Sequence, residues 1–431
     1  MNAVDEKLIE REREGRPIRV ALIGAGQMGV EIATQAGEMV GFDVVVAVDL
    51  TIERAAAAFA DRTRPTSVVQ ASTADEVEKA IRAGKHVATT DYRAAIRAPS
   101  IDAVVDATGS VEMGAVVALE AFEHKKHVVM MSVECDVTIG AVLNRFARQA
   151  GVVYTLAAGD EPAAIVELYR FARTLGFEIV SAGKGKNNPL NIYSTPETER
   201  EKAEKRKMNP RMLSEFVDGS KTAIEMTAVS NATGLVPDVR GMHGARATVE
   251  TIGSVFIPKA DGGVLSRSGV VDFAIGVHPG VFVIAKTLNA RIRDGMSQRD
   301  MGAGPYYPLF RPFHLCSVEV PHSVCQAVFY GESTGNPLPV PTSECIAVAK
   351  RDLEPGETLD GIGEYCYRGS IDTYAVAKKE KLLPLGLARN CVMKRAVAKD
   401  HAITYDDITI GPETVLWQLR RIQDALHGDA V

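Results

Sequence analysis

Four stretches of this chain have residue types and spacing suited to chemistry. The first is IRVALIGAGQMG (18–29), an apolar run feeding a turn with Gly24, Gly26 and Gly29 in G-x-G-x-x-G spacing around Gln27 and Met28. The first glycine allows the tight turn, the second lets a pyrophosphate reach the backbone, and the third lets helix close on strand. The phosphates then meet the positive end of the helical stretch VEIATQAGEMV. A second strand, DVVVAVDL (43–50), ends in Asp49, twenty residues after Gly29. Asp49 is placed to accept a ribose 2′-OH, which suits NAD(H). Thr51 and Arg54 lie just beyond it and suit the 2′-phosphate of NADP(H). The residues leave both cofactors open.

The second stretch is AAGDEP (157–162), where an apolar strand ends and AAIVELYRFARTL begins. Asp160, Glu161 and Pro162 suit the first turn of a helix. At the carboxyl end of a sheet strand, the same two acids also line an active site. The third is KGKNNP, after the strand FEIVSAG (177–183), which gathers Lys184, Lys186, Asn187 and Asn188 on a loop suited to an anionic or hydroxylated ligand, or simply to water. The fourth is FVDGSKTAIEMTAVSNATGL (216–235), with Lys221 and Glu225 one turn apart on a helix face and Asn231 farther along. Lys221 is a candidate general acid or oxyanion stabiliser, and Glu225 its orienter or a metal ligand. A plain surface ion pair is the other reading. Asp160, Glu161 and Glu225 are oxygen donors of the kind Mg²⁺ or Mn²⁺ takes. Ser194 opens a charge-rich segment (194–212) that reads as a mobile lid or an exposed helix. Arg311 stands among aromatics and prolines as a candidate phosphate ligand, and His314 begins an amphipathic helix as a core or interface histidine. VDFAIG and VFVIAKT, joined through HPG (278–280), read as a hairpin.

The elements that must hold these residues alternate. Strand candidates HVATT (86–90), IDAVVDAT (101–108), HVVMMS (127–132) and VVYTLAA (152–158) join the first two, with helical stretches between them. Such alternation predicts an α/β fold with a Rossmann-type doubly wound sheet, whose ligands lie beyond the strands' carboxyl ends. Thr108, Gly109 and Ser110, and Ser132 to Glu134, then fall near the nicotinamide.

A length of 431 residues predicts more than one domain. The divisions read as 1–158, a nucleotide-binding domain; 159–341, an α+β substrate and dimerisation region; and 342–431, a β-rich module resembling a SAF domain. Net charge is −6, which gives no general attraction to nucleic acid or anionic lipid. No apolar run reaches the length of a membrane span. The N-terminal MNAVDEKLIEREREGR is too charged for a secretory signal and reads as a short polar helix. Six scattered cysteines without a CxxC pair suit reduced thiols in a cytoplasm.

GAGQMG, DAT-G and HVV, with Gly-x-x-Pro after the last sheet strand, resemble the homoserine dehydrogenase family over residues 18–330. Met130-Met131-Ser132-Val133 stands where that family has T-A-N-K, and Asp160 and Glu161 are added to its glycine-rich strand end. Over the whole chain, GDEP, KGKNNP, DGSKTAIEM and the SAF-like tail look like the 1-deoxy-D-xylulose 5-phosphate reductoisomerase-like enzymes. That resemblance implies NADPH, a sugar phosphate substrate, conversion to 2-C-methyl-D-erythritol 4-phosphate on the methylerythritol phosphate route to isoprenoids, inhibition by fosmidomycin-type phosphonates, and a homodimer. One alternative is a homoserine-dehydrogenase-like NAD(P)-dependent enzyme acting on another sugar phosphate, a sugar acid or a hydroxy amino acid. The other is a non-catalytic sensor that binds NADP(H).

Overall fold

The computed structural model describes residues 3–186 and 188–427. Two compact units are interleaved along the chain. Unit one comprises Met1–Ala163, Leu315–Pro339 and Gln418–Val431; unit two comprises Ala164–His314 and Val340–Trp417.

In chain order the first strands are β1 (Ile18–Ile23), β2 (Phe42–Val48), β3 (Val68–Gln70), β4 (His86–Thr89), β5 (Ala103–Asp106), β6 (His127–Met130) and β7 (Tyr154–Leu156). The helices among them are α1 (Val4–Arg13), α2 (Gln27–Glu38), α3 (Ile52–Ala57), α4 (Ala74–Arg82), α5 (Tyr92–Arg97), α6 (Val111–Glu123) and α7 (Val133–Ala150). Later helices are α8 (Glu161–Thr174), α9 (Pro196–Lys205), α10 (Pro210–Val217), α11 (Ser220–Thr233), α12 (Ile252–Val255), α13 (Ala290–Ser297), α14 (Cys316–Tyr330), α15 (Tyr374–Lys379) and α16 (Val415–Leu426).

Unit one is built on a seven-stranded parallel sheet in the order β3-β4-β2-β1-β5-β6-β7. Its central strands are apolar runs because both faces are covered, so Val20, Leu22, Val44 and Val105 are all essentially inaccessible. The order reverses at β1, which pairs with β2 on one side and β5 on the other. The expected Rossmann sheet is present, with one more strand than the six the apolar runs reveal. The extra strand, β3, has three residues, none of them buried, and is too short to show a pattern. Helix α14 returns to pack on α2 and β6. The end of the chain is fastened to α7 by polar bonds: Gln423 Oε1 accepts Val142 N–H at 3.1 Å, and Arg420 donates to Thr138 O at 3.2 Å. Arg420 also pairs with Asp424 at 2.9 Å, both side chains 5% exposed.

Unit two contains β8 (Glu178–Lys186), β9 (Val236–Pro237), β10 (Val270–Ile275), β11 (Val281–Lys286) and β12 (Tyr306–Arg311) in one mixed sheet, ordered β12-β11-β8-β10-β9. This corrects the expected hairpin. β10 and β11 are not neighbours; they flank β8, parallel on one side and antiparallel on the other. The connection between them crosses the end of β8, where Gly185 N–H donates to Gly280 O at 2.9 Å. A Cβ at Gly185 would lie 1.3 Å from Val277 O, so only glycine lets the chain pass there. Two antiparallel pairs complete the unit, β13 (Ser343–Ala349) with β14 (Tyr367–Thr373), and β15 (Val392–Met393) with β16 (Ile408–Thr409). Helix α11 is buried on nearly every side, packed against β10, β13 and β14. The charge-rich segment 194–212 forms α9, exposed along most of its length, and the start of α10; the two helices pack together through Ala203, Leu213 and Val217.

The Arg420–Asp424 pair yields a stability prediction. Arg420→Ala strands a buried carboxylate and should lower the unfolding free energy by about 3–5 kcal/mol. The double replacement Arg420→Met with Asp424→Leu should cost much less. Urea unfolding of the full-length chain followed by circular dichroism measures both; equal losses would show that the charges do not compensate each other.

Candidate active site

Unit one presents a dinucleotide cradle. Gly24 has φ +100°, and a Cβ there would lie 2.6 Å from the Ala107 backbone. A Cβ at Gly29 would meet Gly24 O at 2.0 Å. At Gly26, by contrast, a Cβ would project into open space. The middle glycine therefore leaves room for a phosphate at the first turn of α2, and the residues fit the cofactor that the spacing predicts. Asp49, at the end of β2, accepts Ala25 N–H at 2.8 Å and pairs with Arg54 Nε at 3.2 Å. More than half of the Arg54 side chain is exposed. Thr51 caps α3 by accepting Arg54 N–H at 3.3 Å. Thr108, Gly109 and Ser110 form the turn after β5. Gly109 N–H donates to Ser132 Oγ at 3.1 Å, and Thr108 Oγ1 donates to Asp106 Oδ1 at 2.8 Å.

AAGDEP also belongs here. Gly159, at φ +81°, turns the chain after β7 where a Cβ would meet Leu315 O at 2.6 Å. Asp160 immediately precedes α8 and Glu161 is its first residue, with 8% and 6% of their surfaces exposed. Cys316, in the first turn of α14, donates from Sγ to Asp160 Oδ1 at 3.9 Å.

In unit two the lysine loop is corrected to strand. Lys184 and Lys186 are the last alternate residues of β8, so they share one face of the sheet, while Gly183 and Gly185 are pressed against backbone on the other. Both lysines are buried, with 7% and 6% exposed. Lys184 Nζ bonds Glu225 Oε2, and Glu225 is 2% exposed. Glu225 is therefore buried rather than at the surface, and its carboxylate meets Lys184 of β8. Lys221 lies half-buried in the first turn of α11. Lys186 Nζ donates to Phe216 O, near the end of α10, at 2.7 Å. Burial and the Lys184 charge push Lys186 down to about 8, against the opposing pull of Glu225 and Asp218.

The residue that sequence reasoning missed is Lys350. It pairs with Asp218 at 2.7 Å, and both side chains are almost wholly inaccessible. It also donates to Ser194 O at 2.7 Å and Glu364 O at 2.8 Å. Its only sequence signal is that it is the first charge after the apolar run CIAVA, ahead of Arg351 and Asp352. Burial raises Asp218, while Lys350 and Ser220 lower it. Several expected substrate ligands make contacts within the protein. Ser194 Oγ donates to Glu199 at 3.0 Å, Asn188 accepts from Arg206 at 2.9 Å, and Asn231 Oδ1 accepts the N–H groups of Thr342 and Ser343 at 2.8 and 2.9 Å. Arg311 pairs with Glu167 at 3.3 Å and stacks over Phe313. His314 precedes α14 and is half-buried, and Asn187 lies outside the described residues.

The signature of one protein family, described as the catalytic domain of oxidoreductase DRL, matches residues 159–320. No curated protein matches the chain. Among solved structures, one described as a probable dehydrogenase from Thermotoga maritima is 12% identical, covering 73% of this chain and 90% of that one, with a TM-score of 0.40. A 3-ketoreductase from Actinomadura kijaniata is 14% identical over 73% and 90% of the two chains, with a TM-score of 0.34. A scyllo-inositol dehydrogenase from Lactobacillus casei is 12% identical over 62% and 73%, also at 0.34. Overlaps of this size are no basis for assigning a reaction. The Rossmann sheet with its glycine cradle, and a match to an oxidoreductase catalytic domain over the segment that carries the buried lysines, define an NAD(P)-dependent oxidoreductase.

Lys186 makes stability depend on pH. The folded amine titrates near 8, whereas an unfolded lysine titrates at roughly 10.4. Between those values the unfolded chain binds the extra proton, so this group makes stability rise with pH across that window. Lys186→Met should therefore gain on the wild type at pH 7.5 and lose more than half of that advantage by pH 9.5. Urea midpoints at the two pH values measure the difference; a constant difference would place the Lys186 titration outside the window.

Proposed function

We propose that this oxidoreductase is an NADPH-dependent reductoisomerase converting 1-deoxy-D-xylulose 5-phosphate to 2-C-methyl-D-erythritol 4-phosphate. The observation that carries the reading is the buried set Lys184, Lys186 and Glu225 inside the matched span 159–320. Rearrangement by retro-aldol and aldol steps needs a base for a hydroxyl proton and a cation for the enolate oxygen. A lysine near 8 serves as acid or base at neutral pH, and Lys184, paired with Glu225, offers a fixed positive charge. Lys221, one turn before Glu225, is the proposed contact to the enolate oxygen or the phosphate. The reading includes a divalent cation drawn to carboxylates of the set Asp160, Glu161 and Glu225, and a SAF-like module after residue 342, supported by the small pairs β13–β14 and β15–β16. The nicotinamide supplies the hydride that reduces the rearranged aldehyde.

Incubation with 1-deoxy-D-xylulose 5-phosphate, NADPH and Mn²⁺, with the product read by NMR, tests the proposal. A branched methylerythritol product is expected. Turnover of another sugar phosphate or hydroxy acid without skeletal change would replace this reading with a simple dehydrogenase. Lys221→Ala should lose on the order of 10²–10³ in kcat while still binding NADPH; near-normal turnover would move the role to Lys184 or Lys186.

NADP(H) is the proposed cofactor, with the exposed Arg54 guanidinium as reader of the 2′-phosphate. Arg54→Ala should weaken NADPH binding more than NADH binding in fluorescence titrations. Equal losses would remove Arg54 from that role.

A further inference from the structure

Asp106 ends β5 inside the apolar run AVVD and is completely buried. Its Oδ1 accepts the Thr108 hydroxyl at 2.8 Å and the Thr108 N–H at 3.4 Å. Thr108 Oγ1 in turn accepts Ser110 N–H at 3.3 Å. Asp106 thus holds the turn that closes the nicotinamide end of the cradle. Its Oδ2 meets no partner in good hydrogen-bond geometry among the described residues, and the Ser132 hydroxyl is the one neighbouring group that eases its charge besides Thr108. A fully buried carboxylate with one oxygen poorly satisfied is costly, and a neutral side chain would hold the same turn without that cost. The charge itself calls for a use. β5 adjoins β1 where the strand order reverses, the place at which a dinucleotide's reactive end sits in this fold. A nicotinamide ring carries one positive charge when oxidised and none when reduced.

We propose that Asp106 positions the 108–110 turn and, through its buried carboxylate, favours the oxidised cofactor over the reduced one. The inference rests on the nicotinamide cofactor of the oxidoreductase class and not on the substrate, so failure of the reductoisomerase assay would leave it standing. Burial raises the carboxyl to about 6, opposed by the hydroxyls of Ser132 and Thr108, and the balance is therefore titratable. The groups around it are accounted for. Glu134, in the first turn of α7, adds a like charge. Cys135 on α7 and Tyr154 on β7 also interact with it, and burial keeps both protonated. Asp136 is raised to about 7 by its own burial, and Glu112 on α6 acts on Cys135.

The test is binding, not turnover. Dissociation constants for NADP⁺, by calorimetry, and NADPH, by fluorescence, are measured at pH 5 and pH 8. The 2′-phosphate titrates in both forms and cancels in their ratio. In the wild type the oxidised-to-reduced ratio of dissociation constants should fall on the order of tenfold as pH rises, the scale of a charge pair several ångströms apart in a partly polar interior. Asp106→Asn should hold the acidic ratio at both pH values. Asp136→Asn should keep the wild-type dependence. A pH-independent wild-type ratio, a dependence that survives Asp106→Asn, or one abolished by Asp136→Asn would each overturn the proposal. If Asp106→Asn does not fold, Thr108→Val decides. Losing a bond to the charged form raises the carboxyl's pKa, so the midpoint of the ratio must move up; an unmoved midpoint overturns the proposal.

Discussion

Unit two depends on charge held out of water. Lys184, Lys186, Glu225, Asp218 and Lys350 are each buried to 7% exposure or less, and in such surroundings an ion is tolerable only beside its counter-ion. That requirement fixes where several elements can lie. β8 must reach far enough to carry two lysines, α11 must present Glu225 to the first of them, and the end of β13 must bring Lys350 to Asp218 ahead of α11. Lys350 also takes the carbonyls of Ser194 and Glu364, so stretches far apart in sequence are tied at one ammonium. The same arrangement sets the proton affinity of Lys186. Burial, with the charge of Lys184 beside it, brings that amine down to about 8.

The glycines of β8 make this possible. The strand ends in alternating glycine and lysine, Gly183 to Lys186, and the chain crossing between β10 and β11 lies directly over Gly185. A side chain there would displace the crossover and with it the sheet order that centres the lysines. Unit one uses glycine the same way at Gly24 and Gly29, where backbone meets backbone, and differently at Gly26, where the space is left for a ligand. Its acids are placed at strand ends, Asp49 after β2, Asp106 at the end of β5 and Asp160 after β7, all at the carboxyl edge of the sheet.

Much of unit one was legible in the sequence. Apolar runs bounded by glycine or polar turns mark six of its seven strands, because a parallel sheet covered on both faces needs continuous apolar segments. The G-x-G-x-x-G spacing, followed by an acid after the next strand, marks the cofactor site through the sterics of three positions. The helix starts at DGSK and GDEP were also readable, since capping is local chemistry. Asp106 left a trace as an acid inside an apolar run, and Lys350 as a charge closing one.

What the sequence determined, then, was whatever a few neighbouring residues decide by themselves: strand and helix periodicity, turns that only glycine permits, and the class of ligand that a glycine-rich turn before a helix accepts. What only the tertiary structure decided were the pairings between distant segments. KGK read as a loop because nothing local shows that β8 continues between two other strands, and VDFAIG with VFVIAKT read as a hairpin because nothing local shows that a third strand lies between them. Glu225 could be matched with Lys221 by helix spacing, but its bond to Lys184 spans 41 residues. Burial sets the worth and the proton affinity of a charge, and burial is a property of the packed chain rather than of any stretch of it.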